Sequence, residues 1–428
     1  MILRISSILL LLIISVTSFS QQTRIYTDPL ETYHKAKELY QKGQYNLAYP
    51  LFRDLQQNRN EADYSNYRIA FEEIDFYSIV CALKQNEPSA EAQAKGFKAL
   101  QSNQPLQQKM SFQLGEYYFR NQDYRNAVLM YEESNSENLS EQEAADMDFH
   151  LGYGYFTLQQ FDKAKPLLNK VRLEPAHPNY LDANYYYGFM AFSDRNYNDA
   201  MDAFRKVENH GEYGSVVPYY IASIYYQQGK KDEALSYAEN ALKKSSSSYY
   251  DAALRRMIGQ AYFERKEFSK ALPYLEAYAS KTEKLTREDI YQLSYSYYDA
   301  KQYPKAIEGF KQLTEERDSL SQSAMYLLGD SYLKTNQKAN ARNAFSYSAH
   351  NSSNQQQREV SLFNYGKLSY ELGFQDVAIN ELRNFLEQYP SSTYSNEARE
   401  LLVGIMTGTN NYREALNLLE SLKNPSPA

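Results

Sequence analysis

Between Gly152 and Leu168 the chain reads GYGYFTLQQFDKAKPLL, and between Gly259 and Leu275 it reads GQAYFERKEFSKALPYL. The two stretches align without a gap. Each has Gly, an aromatic three residues on (Tyr155, Tyr262), another six later (Phe161, Phe268), then Ala (Ala164, Ala271) and Pro two beyond. The Gly-to-Ala spacing recurs at Gly115–Ala127, Gly188–Ala200, Gly329–Ala341 and Gly366–Ala378. With Ala, Ser or Val in the first place it recurs at Ala36–Ala48, Ala222–Ala234, Ser294–Ala306 and, less well, Val403–Ala415. From Ala127 to Ala415 the alanines follow at intervals of 37, 36, 34, 37, 35, 35, 37 and 37 residues. A period of this length is the mark of a repeat architecture in which one supersecondary unit is stacked many times. Ala48 and Ala127 are 79 residues apart, room for one irregular unit anchored near Ala92, with an enlarged loop at Asn58 to Asp63. About eleven repeats are therefore expected.

Each unit reads as a helical hairpin. In Asp182 to Ser193, Tyr185, Gly188, Phe189 and Phe192 recur at helical spacing; Asp194, Arg195 and Asn196 interrupt, and a second helix follows from about Asn198 to Val207. A mid-helix Gly costs about 1 kcal/mol relative to Ala. Its repetition makes sense where a neighbouring helix comes too close for a side chain, and the Ala twelve residues later is the expected contact. Pro50, Pro166 and Pro273, two residues after an anchor alanine, and Pro304, two before one, are expected at or near the start of second helices, where a missing N–H costs little. Pro175 and Pro390 suit helix stops.

The helix–turn–helix period near 34 residues, the Gly/Ala and Ala at fixed places and the aromatic packing positions resemble the tetratricopeptide repeat. The resemblance runs from about Pro29 to Leu422. It implies an all-α, right-handed α-solenoid, with an irregular N-terminal part over 29–107 and a regular array over 108–423. The signature Trp is absent, Asn184, Ile290 and Leu362 standing in its place. Resemblance further implies that first helices line a concave groove where protein partners bind. The residues pointing inward would be Phe149, Tyr153 and Phe156, then Tyr185, Phe189 and Phe192, then Tyr219 and Tyr226. Tyr291, Tyr295 and Tyr298 would follow, with Tyr326, Phe363 and Tyr370 last. Tyr suits recognition, giving area, a hydroxyl and little rotamer entropy. With 43 Tyr and 20 Phe but no Trp, two uses of these rings stay open: packing between repeats, or a contact strip.

The first residues read as an export signal: Arg4, an apolar run from Ile8 to Val16 broken only by Ser15, then Ser18-Phe19-Ser20. Cleavage after Ser20 is expected, followed by a short linker over 21–28. The run is far short of the roughly 20 residues that span a bilayer. The start, followed by Gln21-Gln22, resembles exported proteins of Bacteroidota, so a periplasmic location is expected, with association to the outer membrane through a partner. Hydrophobic residues make up 43% of the chain and charged residues 23%, values of a folded protein.

Loss of Arg4 would take the formal charge from −7 to −8, which gives no attraction to nucleic acid. The basic pairs Lys230-Lys231, Lys243-Lys244 and Arg255-Arg256, and the acidic run from Glu132 to Asp148, read as solvated faces. Cys81 is the single cysteine and sits in an apolar stretch, so it reads as a small core residue. The five histidines show no metal-binding spacing. No phosphate loop, HExxH or GxSxG motif occurs. The expectation is a scaffold without cofactor or catalysis. A polysaccharide-handling module is the competing reading, and its Trp is missing. Because arrays need a polar capping repeat, the hairpin stopping at Lys423, before the tail 424–428, also raises self-association through the C-terminal end.

Overall fold

The computed structural model describes residues 30–58, 64–244, 250–351, 353–409 and 411–420, with backbone alone for 64–70. The expected signal (1–20), linker (21–28), tail (424–428) and most of the Asn58–Asp63 loop lie outside the described residues. Within them the chain is all-helical, with 22 α-helices and no strand. They alternate as eleven first and eleven second helices, and ten of the consecutive pairs are in contact as hairpins. The first helices are α1 (Glu31–Gln41), α3 (Tyr64–Lys84), α5 (Gln104–Arg120), α7 (Glu141–Thr157), α9 (Tyr180–Ser193), α11 (Tyr213–Gln227), α13 (Asp251–Glu264), α15 (Arg287–Asp299), α17 (Ser319–Lys334), α19 (Gln355–Glu371) and α21 (Ser395–Gly408). The second helices are α2 (Tyr45–Gln57), α4 (Ala90–Leu100), α6 (Tyr124–Glu132), α8 (Phe161–Val171), α10 (Tyr197–Val207), α12 (Lys231–Lys244), α14 (Phe268–Ala279), α16 (Tyr303–Phe310), α18 (Lys338–Ala349), α20 (Gln375–Gln388) and α22 (Tyr412–Glu420).

Two compact units divide the chain, one ending at Met190 and the other starting at Ala191, within α9. In the first unit α1 touches α3, α3 touches α5 and α5 touches α7, while among the described residues consecutive second helices do not touch. The second unit repeats the pattern from α11 to α21. Rods that converge on one side and splay on the other curve the stack. Each unit is thus an α-solenoid with first helices on the inside.

The register holds to the residue. Ala48, Ala127, Ala164, Ala200, Ala234, Ala271, Ala306, Ala341, Ala378 and Ala415 are each the fourth residue of a second helix and all are buried. The irregular unit departs from its expected anchor: Ala92 is exposed, and Ala94 is fully buried twelve residues after the fully buried Ala82. The 21-residue α3 carries the extra length ahead of Ala82. The boundary expected at 107/108 falls inside α5.

What fills the notch at the small residue also differs from the expectation. A Cβ on Gly115 would meet the Tyr131 ring at 2.6 Å, on Gly152 the Leu168 side chain at 3.0 Å, on Gly259 that of Leu275 at 2.6 Å, on Gly329 the Phe345 ring at 2.8 Å and on Gly366 that of Leu382 at 2.8 Å. The notch therefore houses the large residue four beyond the anchor alanine, not the alanine itself. Phe52, Tyr131, Phe204, Phe310 and Phe345 occupy that place as fully buried side chains. Burial of each contributes about 1.5–3 kcal/mol, which outweighs the helical cost of the glycine. In the last hairpin Val403 stands in the small residue's place, and Leu419, four beyond Ala415, is 42% exposed.

The hairpin turns share one device. Five residues before the anchor, Gly43, Gln122, Gln159, Arg195, Gly229, Lys266, Lys301, Asn336 and Gly373 all adopt positive φ, the left-handed cap that ends a helix and reverses the chain. The prolines correct another expectation. Pro50, Pro166 and Pro273 lie inside α2, α8 and α14 rather than at their starts, since those helices begin five residues earlier. Pro304 is in the first turn of α16.

Candidate functional site

The expected groove residues occupy three register places on the first helices: three before, one after and four after the small residue. All of them lie on first helices, and their exposure divides them. Phe149 is 6% exposed and Phe363 2%, so both belong to the core and not to a contact strip. Phe363 stacks on Tyr394 and packs against Phe385, which removes it from solvent. The other twelve are half-buried.

In the first unit the rings form one cluster. Tyr153 packs edge-on against Phe119, Tyr124 and Tyr186, and Phe156 against Tyr186 and Phe189. In the second unit Tyr295 lies 5.5 Å from Phe263, 4.7 Å from Phe268 and about 6 Å from Tyr291 and Tyr298. Phe119 and Phe263, absent from the expected set, hold the same place as Phe156, four residues after the glycine. The period alone could have found them.

A second, separate use accounts for much of the tyrosine. Three residues after the small residue, Tyr155 donates its hydroxyl to Glu132 (2.5 Å) on the preceding second helix. Lys163 pairs with the same carboxylate at 3.2 Å and lies 4.9 Å from the ring centre. Tyr297, Glu276 and Lys305 repeat this clasp, at 2.8, 3.1 and 4.8 Å. Glu132 and Glu276 stand five after an anchor alanine and Lys163 and Lys305 directly before one, so the clasp is written in the register. Other places use the same chemistry: Tyr118–Glu91–Lys95, Tyr33–Glu73–Lys37 and Tyr226–Glu264–Lys231. Hydrogen bonds from Tyr155 and then Lys163 hold Glu132 below the usual carboxylate range. Burial, followed by the carboxylate, pushes the Tyr262 hydroxyl up to about 12 against Glu239. These hydroxyls are donors at any physiological pH.

Several isolated signals resolve into structure. Cys81 is fully buried, and burial pushes its thiol up to about 12. Lys231, Arg255 and Arg256 pair with Glu264, Asp251 and Asp289. From the acidic run, Glu133 pairs with Lys98 and Asp148 with Lys170. His150 Nδ1 lies 2.7 Å from Glu116 and its ring stacks on Phe119 at 4.0 Å. Among the described residues no three His, Cys, Asp or Glu side chains gather as a metal site, and no helix is long and apolar enough to cross a membrane.

The tetratricopeptide repeat model matches residues 219–284 and 291–355, which are hairpins of the second unit. These residues carry tetratricopeptide repeats. The chain is similar to solved structures, three of which follow. One is MamA, at 19% identity over 41% of this chain and 98% of that one, with a TM-score of 0.34. Another is a tetratricopeptide repeat protein from Parabacteroides merdae, at 15% over 61% and 98%, TM-score 0.34. The third is the C-terminal part of a TPR repeat-containing protein from Cytophaga hutchinsonii, at 15% over 67% and 98%, TM-score 0.38. No curated protein matches the sequence.

Proposed function

We propose that this protein is a non-catalytic scaffold, exported to the periplasm, which holds segments of a protein partner against the inner faces of its units in envelope assembly, secretion or motility. One observation carries the reading: half-buried aromatic rings, each keeping part of its surface in solvent, repeat at fixed places on consecutive first helices. Rings locked by their neighbours lose little entropy on binding, so such a surface is preorganised for an extended segment. Export rests on the charge and apolar run of the first twenty residues.

Photo-crosslinkers at Phe156 in the first unit and Tyr295 in the second, on the mature chain in its native envelope, are expected to trap protein. Adducts with glycan alone would move the assignment to polysaccharide handling, and no adduct at either place would end the scaffold reading. The mature chain is expected to begin at Gln21, which an intact mass would check. Self-association is proposed through α22, where Leu416 and Leu419 are 57% and 42% exposed. A concentration-independent monomer mass in sedimentation would refute that part.

A further inference from the structure

The Tyr–carboxylate–cation triad recurs through the molecule, and one copy lacks its third member. On the inner side of the second unit, Tyr298 of α15 donates its hydroxyl to Asp330 of α17 at 2.7 Å. The pair joins two successive first helices, as Tyr226 and Glu264 join α11 and α13. In that earlier pair Lys231, three residues before the anchor Ala234, bonds the carboxylate and lies 5.5 Å from the Tyr226 ring centre. The residue in register with Lys231, three before Ala306, is Tyr303, whose ring packs edge-on against Tyr298 at 5.8 Å. Among the described residues Asp330 has the Tyr298 hydroxyl as its hydrogen-bond partner and takes part in no ion pair. Two half-buried rings and a half-buried carboxylate thus stand together, with no ammonium group paired to them among the described residues.

The neighbourhood has the same character. Tyr291 and Tyr295 continue the aromatic surface along α15. Burial first, and then the negative charge of Asp330, raise the hydroxyl pKa of Tyr326, so that carboxylate acts on rings of both helices. Asp299, exposed at the end of α15, adds to the raised value of Tyr295 after burial. A cation over a tyrosine face is attracted by the ring's quadrupole, and a charge-assisted bond to a carboxylate is about twice as strong as a neutral one. A lysine or arginine from outside would gain both at once.

We infer that the inner face around Tyr298 and Asp330 binds a basic protein segment, whose Lys or Arg side chain completes the triad that Lys231 completes internally two hairpins earlier. This rests on the scaffold reading and adds the chemical class of the partner.

The test uses the mature full-length chain and three fluorescent twelve-residue peptides of equal length, rich in Lys/Arg, in Asp/Glu or in neutral polar residues, read by anisotropy. The basic peptide is expected to bind, more weakly as salt rises, and the other two not. Tyr298→Phe and Asp330→Asn should each weaken it about tenfold. Tyr303→Lys, which puts an internal lysine in register with Lys231, should weaken it likewise while raising the melting temperature, so that loss of binding is separated from loss of fold. Equal or tighter binding of the neutral or acidic peptide overturns the inference, as does Asp330→Asn leaving affinity unchanged. A protein crosslinked at Tyr295 through a segment without Lys or Arg also overturns it and leaves the scaffold reading standing. Failure of every peptide together with no protein adduct at Phe156 or Tyr295 removes both.

Discussion

Alanine placed at two mid-helix glycines should shift stability in opposite directions. Gly96 in α4 has nothing within 4 Å of an added Cβ, whereas at Gly329 in α17 that atom would lie 2.8 Å from Cε1 and Cζ of Phe345 and 2.9 Å from Cδ1. Helix propensity alone favours Ala by about 1 kcal/mol at either site. Carbon atoms pack best at about 3.5–4.0 Å, so the ring facing position 329 must retreat by roughly 0.7 Å or more. Phe345 is only 2% exposed and its ring has no free end to swing aside. Overpacking of this kind costs about 1–3 kcal/mol. Gly96→Ala is therefore expected to stabilise by about 1 kcal/mol, and Gly329→Ala to destabilise by about 1 kcal/mol after its propensity gain. Repeat arrays open locally, so the assay is hydrogen exchange of α4 and of α17–α18 by mass spectrometry. Protection should rise about fivefold in the first and fall about fivefold in the second. Gly329→Ala combined with Phe345→Leu should recover part of the loss, because the smaller side chain makes room. If Gly329→Ala protects α17 as much as Gly96→Ala protects α4, the notch is not filled as described and the packing argument fails.

Three other outcomes follow from the same structure. Tyr297→Phe removes one hydroxyl from the clasp on Glu276 and should lower stability by about 1 kcal/mol, read from the denaturation midpoint. Lys266→Gly and Lys301→Gly replace side chains held at φ 61° and 58° and should each stabilise by about 0.5–1 kcal/mol, since a left-handed backbone strains every L residue with a Cβ. The pH profile should be flat near neutrality and fall at both ends. Glu91, Glu132 and Glu264 are held below their ordinary 4.5 by hydrogen bonds from Lys or Tyr, so their contribution is full above that value and is lost as pH falls through the lower folded values. Tyr33, Tyr262 and Tyr291 are raised from 10.0 to about 12, chiefly by burial. The unfolded chain ionises first, and stability declines above pH 10. Melting temperatures from pH 3 to 11 would show a single broad maximum, and a curve still flat at pH 3 would refute the carboxylate argument.

The sequence determined the period, the hairpins and the anchor alanines, because a repeat states its packing many times over and accidental matches average out. Once Ala94 replaces Ala92, even the irregular unit obeys the same twelve-residue spacing. The family resemblance also supplied three register places expected to face inward, and helical periodicity groups the residues that share them. It did not tell which rings are exposed: Phe149 and Phe363 share their place with Tyr185 and Tyr326 but are covered by neighbours that periodicity cannot weigh. Nor did it show that the glycine notch receives the residue four beyond the alanine, or that a tyrosine on one repeat is held by a carboxylate on another. Those facts depend on distances between helices, even ones that follow each other in the chain, and only packing in three dimensions sets them. The open corner at Tyr298 and Asp330 is of this second kind, visible because the structure places the same three groups together elsewhere.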